Sequence, residues 1–79
     1  MQFRSKPVTI EAIQFTGKNV EEIFAFTEGK AYPVPGGNMA IPTPEGTMTA
    51  SPRDWIIKGL IGEFYPCKPD VFAAKYEAV

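Results

Sequence analysis

Eight prolines and seven glycines interrupt a chain of 79 residues, and this density of breakers constrains the fold more than any other feature. Proline fixes φ and has no N–H to donate, and glycine weakens the interior of a helix or strand. The intervals between them accommodate short strands and one or two short helices. The chain therefore reads as α+β: a small single domain over residues 1–79, a curled antiparallel sheet with one packed helix and a short C-terminal helix. A domain of this length withdraws only about 60% of its unfolded surface from water, so its core is small.

Residues 7–15 read as the first strand. Val8, Ile10 and Ala12 share one face, and Ile13 and Phe15 then occupy the other. A bulge near Ala12 reconciles the two halves, as does a strand covered on both faces at its far end. Asn19 with Glu22 has the spacing of a capping box, opening a helix over 20–28. Its apolar stripe is Val20, Ile23, Phe24 and Thr27, with Phe26 off the stripe and Gly29 as the stop. Pro33, Pro35, Pro42 and Pro44 disfavour central strands in the next segment. A loose hairpin at a sheet edge is expected there, 31–34 and 39–42, turning at Gly36-Gly37-Asn38. After the Glu45-Gly46 turn, 47–50 alternates as a strand. Ser51-Pro52-Arg53-Asp54 is a β-turn, and 55–58 pairs with 63–67 across a glycine-bounded turn. Pro69 suits the first position of a terminal helix with Phe72 and Tyr76 on its inner face, followed by a tail at 77–79.

The hydrophobic fraction of 44% is too high for disorder. A net charge of −1 lacks the cationic excess that phosphate binding needs, which argues against nucleic acid as the main partner. The chain has no histidine, which removes every imidazole base and histidine-bearing zinc site. Its single cysteine, Cys67, excludes an intrachain disulfide and a CxxC pair. A secreted domain this small usually carries disulfides, so a cytoplasmic location is expected. The opening Met1–Arg4 and Lys6 lack a following apolar region, and no segment is long enough to span a bilayer, so no membrane role is expected.

Three stretches carry a resemblance. They are Lys6-Pro7-Val8-Thr9-Ile10-Glu11-Ala12-Ile13-Gln14, Ser51-Pro52-Arg53-Asp54-Trp55-Ile56, and Gly62-Glu63-Phe64-Tyr65-Pro66-Cys67-Lys68-Pro69-Asp70-Val71-Phe72. Together they resemble a family of short proteins encoded by bacteriophages and prophages, which typically read KPVxIEAxQ at the start and SPGDWI…GEFYPCKPDxF near the end. A looser similarity to small proteins with a PGDYG motif accompanies it. The resemblance covers about two-thirds of the chain and spares the proline-rich middle. One departure stands out: the usual Pro-Gly-Asp is Pro52-Arg53-Asp54 here. Arginine disfavours the positive φ of a type II turn, so a type I turn is expected.

The richest set of chemistry-bearing residues is Arg53, Asp54, Trp55, Lys58, Tyr65 and Lys68. Read as a site, the aromatics stack on a nucleotide base while the cations hold its phosphate. Read structurally, Trp55 and Tyr65 belong to the core, Asp54 braces the turn and the lysines are solvated. Gly36-Gly37-Asn38 reads as a hairpin turn or, with weaker support, an anion nest. Cys67 reads as a small buried hydrophobe or as a thiolate assisted by Lys68. The carboxylates Glu11, Glu45, Asp54 and Glu63 show no grouping that implies a metal site. Phe24 and Phe26 fall on different faces of the helix, so one of them lines an apolar patch suited to an interface or to self-association.

No nucleophile–base pair, metal set or cofactor fingerprint is present, so no cofactor and no enzymatic activity are expected. The resemblance places the chain as a phage or prophage accessory protein that works by binding. It would block a host defence factor through protein contact near Phe26, or sequester a small nucleotide signal using Trp55, Tyr65 and the nearby cations. A structural or assembly component of the phage particle is the alternative.

Overall fold

A computed structural model describes residues 1–4 and 7–79. Ser5, and the Lys6 that belongs to the opening motif and its charges, lie outside the described residues. Among those described, the elements run β1 (Glu11–Gln14), α1 (Val20–Phe26), β2 (Tyr32–Val34), β3 (Asn38–Thr43), β4 (Gly46–Ala50), β5 (Trp55–Lys58), β6 (Phe64–Cys67) and α2 (Pro69–Lys75). The domain is α+β. Its strands form two antiparallel three-stranded sheets, ordered β1-β5-β6 and β2-β3-β4, rather than one curled sheet. No described helix is long and apolar enough to cross a membrane.

The two sheets meet face to face. Alternation along the strands puts Ile13, Ile56 and Phe64 on the inner face of the first sheet. Met39, Ile41 and Ala50 lie on the inner face of the second. With Phe15, Ile23 and Ala31 these residues form the buried core. The outer face of the first sheet carries Ala12, Ile57, Tyr65, Trp55 and Cys67. There α2 docks, its Phe72 ring stacked on Trp55 at 4.3 Å between centroids and 6° between planes. β1 thus needs no bulge: its register with β5 is continuous from Glu11↔Lys58 to Gln14↔Trp55. The apolar residues on both of its faces reflect cover on both sides, and the strand is shorter than the 7–15 expected, because 8–10 lack a partner strand.

Three local expectations are corrected by the structure. First, β3 is a central strand despite Pro42. β2 pairs with β3 only as far as Ala40, so Pro42 lies where β3 has a neighbour on one side alone, and its missing N–H costs no ladder bond. Second, Asn19 sits at the helix N-cap but makes no capping bond. Its side chain latches the preceding loop instead, accepting from the Thr16 N–H (2.7 Å) and donating to the Gln14 carbonyl (2.8 Å) and the Glu22 carboxylate (2.7 Å). Third, the buried stripe of α1 is Val20, Ile23, Phe26 and Thr27, with Phe24 outside it. Phe26 meets Phe64 edge-on at 5.6 Å, while Phe24 turns back over Gly29, whose φ of 79° carries the chain away from the helix. The helix closes on buried Thr27, whose hydroxyl donates to the Ile23 carbonyl (2.9 Å) and accepts from the Ala31 N–H (3.0 Å).

Candidate functional site

The turn between β4 and β5 is held by hydrogen bonds within itself and to the end of β1. The Asp54 N–H donates to the Ser51 carbonyl at 2.9 Å, closing a four-residue turn. Arg53 holds φ at +84°, so this is a type II turn and not type I as expected. The cause is tertiary. The turn docks on the end of β1, where the Arg53 N–H donates to the Phe15 carbonyl (2.6 Å) and the Phe15 N–H to the Asp54 carbonyl (2.8 Å). The Gln14 amide donates to the Arg53 carbonyl at 2.9 Å. Reaching Phe15 requires the Pro52–Arg53 peptide to flip, and the flip forces positive φ. Pro52 meanwhile lies against Gly17, where an added Cβ would stand 3.2 Å from the proline ring. A left-handed non-glycine residue carries a penalty of roughly 1–2 kcal/mol. Arg53→Gly relieves it, because glycine adopts positive φ without a Cβ clash. After the extra chain entropy glycine loses on folding, the variant is expected to gain roughly 0.5–1 kcal/mol and about 2–8 °C in Tm. A scan showing an unchanged or lowered Tm would contradict the strain argument.

The six residues singled out in the sequence do not converge. Asp54 is 2% exposed, and its carboxylate accepts from the Ser51 N–H (2.9 Å) and the Lys68 ammonium (3.0 Å). Asp54 and Lys68 therefore satisfy each other, and the carboxylate braces the turn. Trp55 gives one face to Phe72, and Phe72 in turn contacts Tyr76 at 5.0 Å. Tyr65 lies on the same sheet face, opposite Ile57; burial and the neighbouring Tyr76 push its phenol above the usual value. Lys58 belongs to the other face, because strand alternation separates it from Trp55. Arg53 remains exposed, at the lip of a shallow groove of ≈ 570 Å³ formed with Gln14, Phe15, Thr16 and Pro69. Cys67 is half-buried beside Trp55, and Gly36 and Gly37, both at positive φ, make the β2–β3 hairpin turn. No cluster of metal-ligating side chains occurs among the described residues.

A different surface stands out. The five-residue connection from β5 to β6 carries Leu60 and Ile61 between Gly59 and Gly62, and their exposures are 75% and 84%. The turn is held by the Gly59 N–H to the Glu63 carbonyl (2.7 Å) and the Gly62 N–H to the Gly59 carbonyl (3.1 Å). The Glu63 carboxylate folds back to accept from the Ile61 N–H at 3.2 Å. The two aliphatic side chains are thus presented on a closed, braced tip. Beside it runs a second shallow groove of ≈ 430 Å³, lined by Thr9, Ile10, Glu11, Lys58, Gly59 and Leu60. The sequence held the signal for this site. Two large aliphatics stand in a turn, where polar residues are the rule, and no strand or helix period explains them.

Comparison with known protein families, curated proteins and solved structures finds no match for this chain.

Proposed function

We propose that this chain is a non-enzymatic phage or prophage accessory protein that binds a host protein, and that Leu60 and Ile61 are its anchor. The observation that carries the reading is the pair of adjacent, almost fully exposed aliphatic side chains on a braced turn beside a groove. Adjacent exposed aliphatics are costly in water unless something covers them. Interfaces concentrate their energy in a few such anchors seated in a pocket of the partner. The groove adds Glu11 and Lys58 at its rim, where opposite charges orient a partner more than they strengthen it. The nucleotide reading has less support, since Trp55 is already stacked within the fold and Lys68 is engaged by Asp54. The patch assigned to Phe26 is replaced as well, because that ring packs on Phe64.

The test is capture from lysate of the bacterial host with the wild type, a Leu60→Ser/Ile61→Ser double variant and a Phe24→Ser control. One protein is expected to bind the wild type and the control, with an affinity lowered about 100-fold, or about 2.7 kcal/mol, in the double variant. Equal capture by all three would defeat the reading. Thermal shifts produced by cyclic dinucleotides or ADP-ribose derivatives, and abolished by Arg53→Ala, would replace it with nucleotide binding.

A further inference from the structure

The described strands leave four sheet edges, and they are not equivalent. β1 carries a charge at Glu11, β2 a proline at Pro33 and β6 a proline at Pro66. These are common means of blocking an edge from pairing with another chain. β4, Gly46-Thr47-Met48-Thr49-Ala50, has neither a charge nor a proline, and its first four residues are exposed. No described strand pairs with its outer side.

The hydrogen-bond phase of this edge follows from two prolines. Pro42 faces Thr47 and has no N–H, so that pair exchanges no ladder bonds. Pro33 faces Met39 under the same restriction, which turns the Met39 backbone groups toward Ala50 in β4. Both give one answer. Met48 and Ala50 bond inward to β3, while Thr47 and Thr49 direct their N–H and C=O groups outward. A strand with outward groups at 47 and 49 is self-complementary about position 48. Met48 adds an independent observation. It lies on the inner face of its sheet, directly opposite fully buried Ile41, yet remains 46% exposed because the sheet ends there.

We infer that β4 pairs antiparallel with β4 of a second copy of this chain, about a two-fold axis through Met48, and joins the two β2-β3-β4 sheets into one. Thr47 of each copy exchanges hydrogen bonds with Thr49 of the other. The two Met48 side chains meet on the inner face at a pair without hydrogen bonds, where Cα atoms approach to about 4.5 Å. Five residues of pairing bury far less than the ~1,200 Å² of a stable interface, so the dimer is a weak one, populated at micromolar and higher concentrations.

Sedimentation of the full chain between about 20 and 500 μM is expected to show a monomer–dimer equilibrium. Met48→Lys places a charge on the axis, and Thr49→Pro removes an N–H that the monomer does not use. Both are expected to sediment as monomers while keeping the wild-type circular dichroism. Register is read separately, in a Cys67→Ser background. Met48→Cys is expected to form a disulfide-linked dimer, since the close pair matches disulfide geometry. Thr47→Cys, placed diagonally from its symmetry mate at about 7–8 Å, is expected to cross-link far more slowly. A wild type that stays monomeric at the highest concentration would overturn the inference. So would dimers that survive both edge variants, or equal cross-linking at positions 47 and 48. None of these outcomes bears on the Leu60–Ile61 anchor, which lies on the other sheet.

Discussion

Phe64→Ala is expected to lose roughly 3–5 kcal/mol of stability. Phe64 sits on the inner face of β6, is almost completely buried and belongs to the cluster that joins both sheets to α1. Its ring meets Phe26 edge-on, and the Lys30 ammonium stands 5.5 Å from its centroid. Removing it opens a cavity at the point where three elements converge, and the backbone of a paired strand cannot collapse to fill it. A domain of this length has a total stability of roughly 4–12 kcal/mol, so the variant is expected to be partly or wholly unfolded at 25 °C. Urea denaturation followed by fluorescence of the single tryptophan, Trp55, measures this directly. A loss below about 1 kcal/mol would show that the sheets do not pack through Phe64.

The second large effect is electrostatic and belongs to the turn. Asp54→Ala is expected to lose about 2–3 kcal/mol, in line with removal of a hydrogen bond to a charged acceptor that leaves a partly buried N–H unpaired. Ser51 then has no partner for its N–H, and the corner that docks β5 against Phe15 loses its brace. Lys68→Ala is expected to cost less than about 1 kcal/mol, because that ammonium is largely exposed and screened. A double-mutant cycle separates the contributions: the Asp54–Lys68 coupling is expected below about 1 kcal/mol, with the larger share of Asp54 belonging to Ser51. Equal losses from the two single variants would place the stabilisation in the ion pair instead of the turn. The assignment also decides how loss of binding in an Asp54 variant is interpreted, since such a variant perturbs the scaffold first.

These two residues mark different degrees of legibility. Phe64 lies in a strand next to a glycine-bounded turn, but Phe64-Tyr65-Pro66-Cys67 is apolar on both faces, so only the packing of the sheets selects Phe64 as the inner residue. Asp54 was legible as a turn brace, but its link to Lys68 depends on the β5–β6 register, which sets Trp55 opposite Cys67 and so brings Lys68 beside Asp54. The candidate cluster dispersed for a geometric reason. Proximity in sequence brought Trp55 and Lys58 together on paper, and three residues along a strand reverses the face. Leu60 and Ile61 were visible as a hairpin turn, yet a turn's position says nothing about whether neighbouring loops cover it.

Local chemistry within the amino-acid sequence determined the β5–β6 hairpin, the helix opened by Pro69 and the start of α1 at Val20, while α1 ends at Phe26, short of the expected 20–28. Each rests on interactions between residues a few positions apart, whose geometry is set by φ restrictions and side-chain period. Tertiary structure alone decided that Arg53 takes a left-handed conformation and that β3 becomes the central strand of its sheet, with Pro42 beyond the end of β2. In each case a segment settled among satisfied local states according to what a distant one offered: the Phe15 carbonyl to the Arg53 N–H, and β2 to the first half of β3. Such choices are nearly degenerate in the isolated segment, so they are settled only when the segments meet.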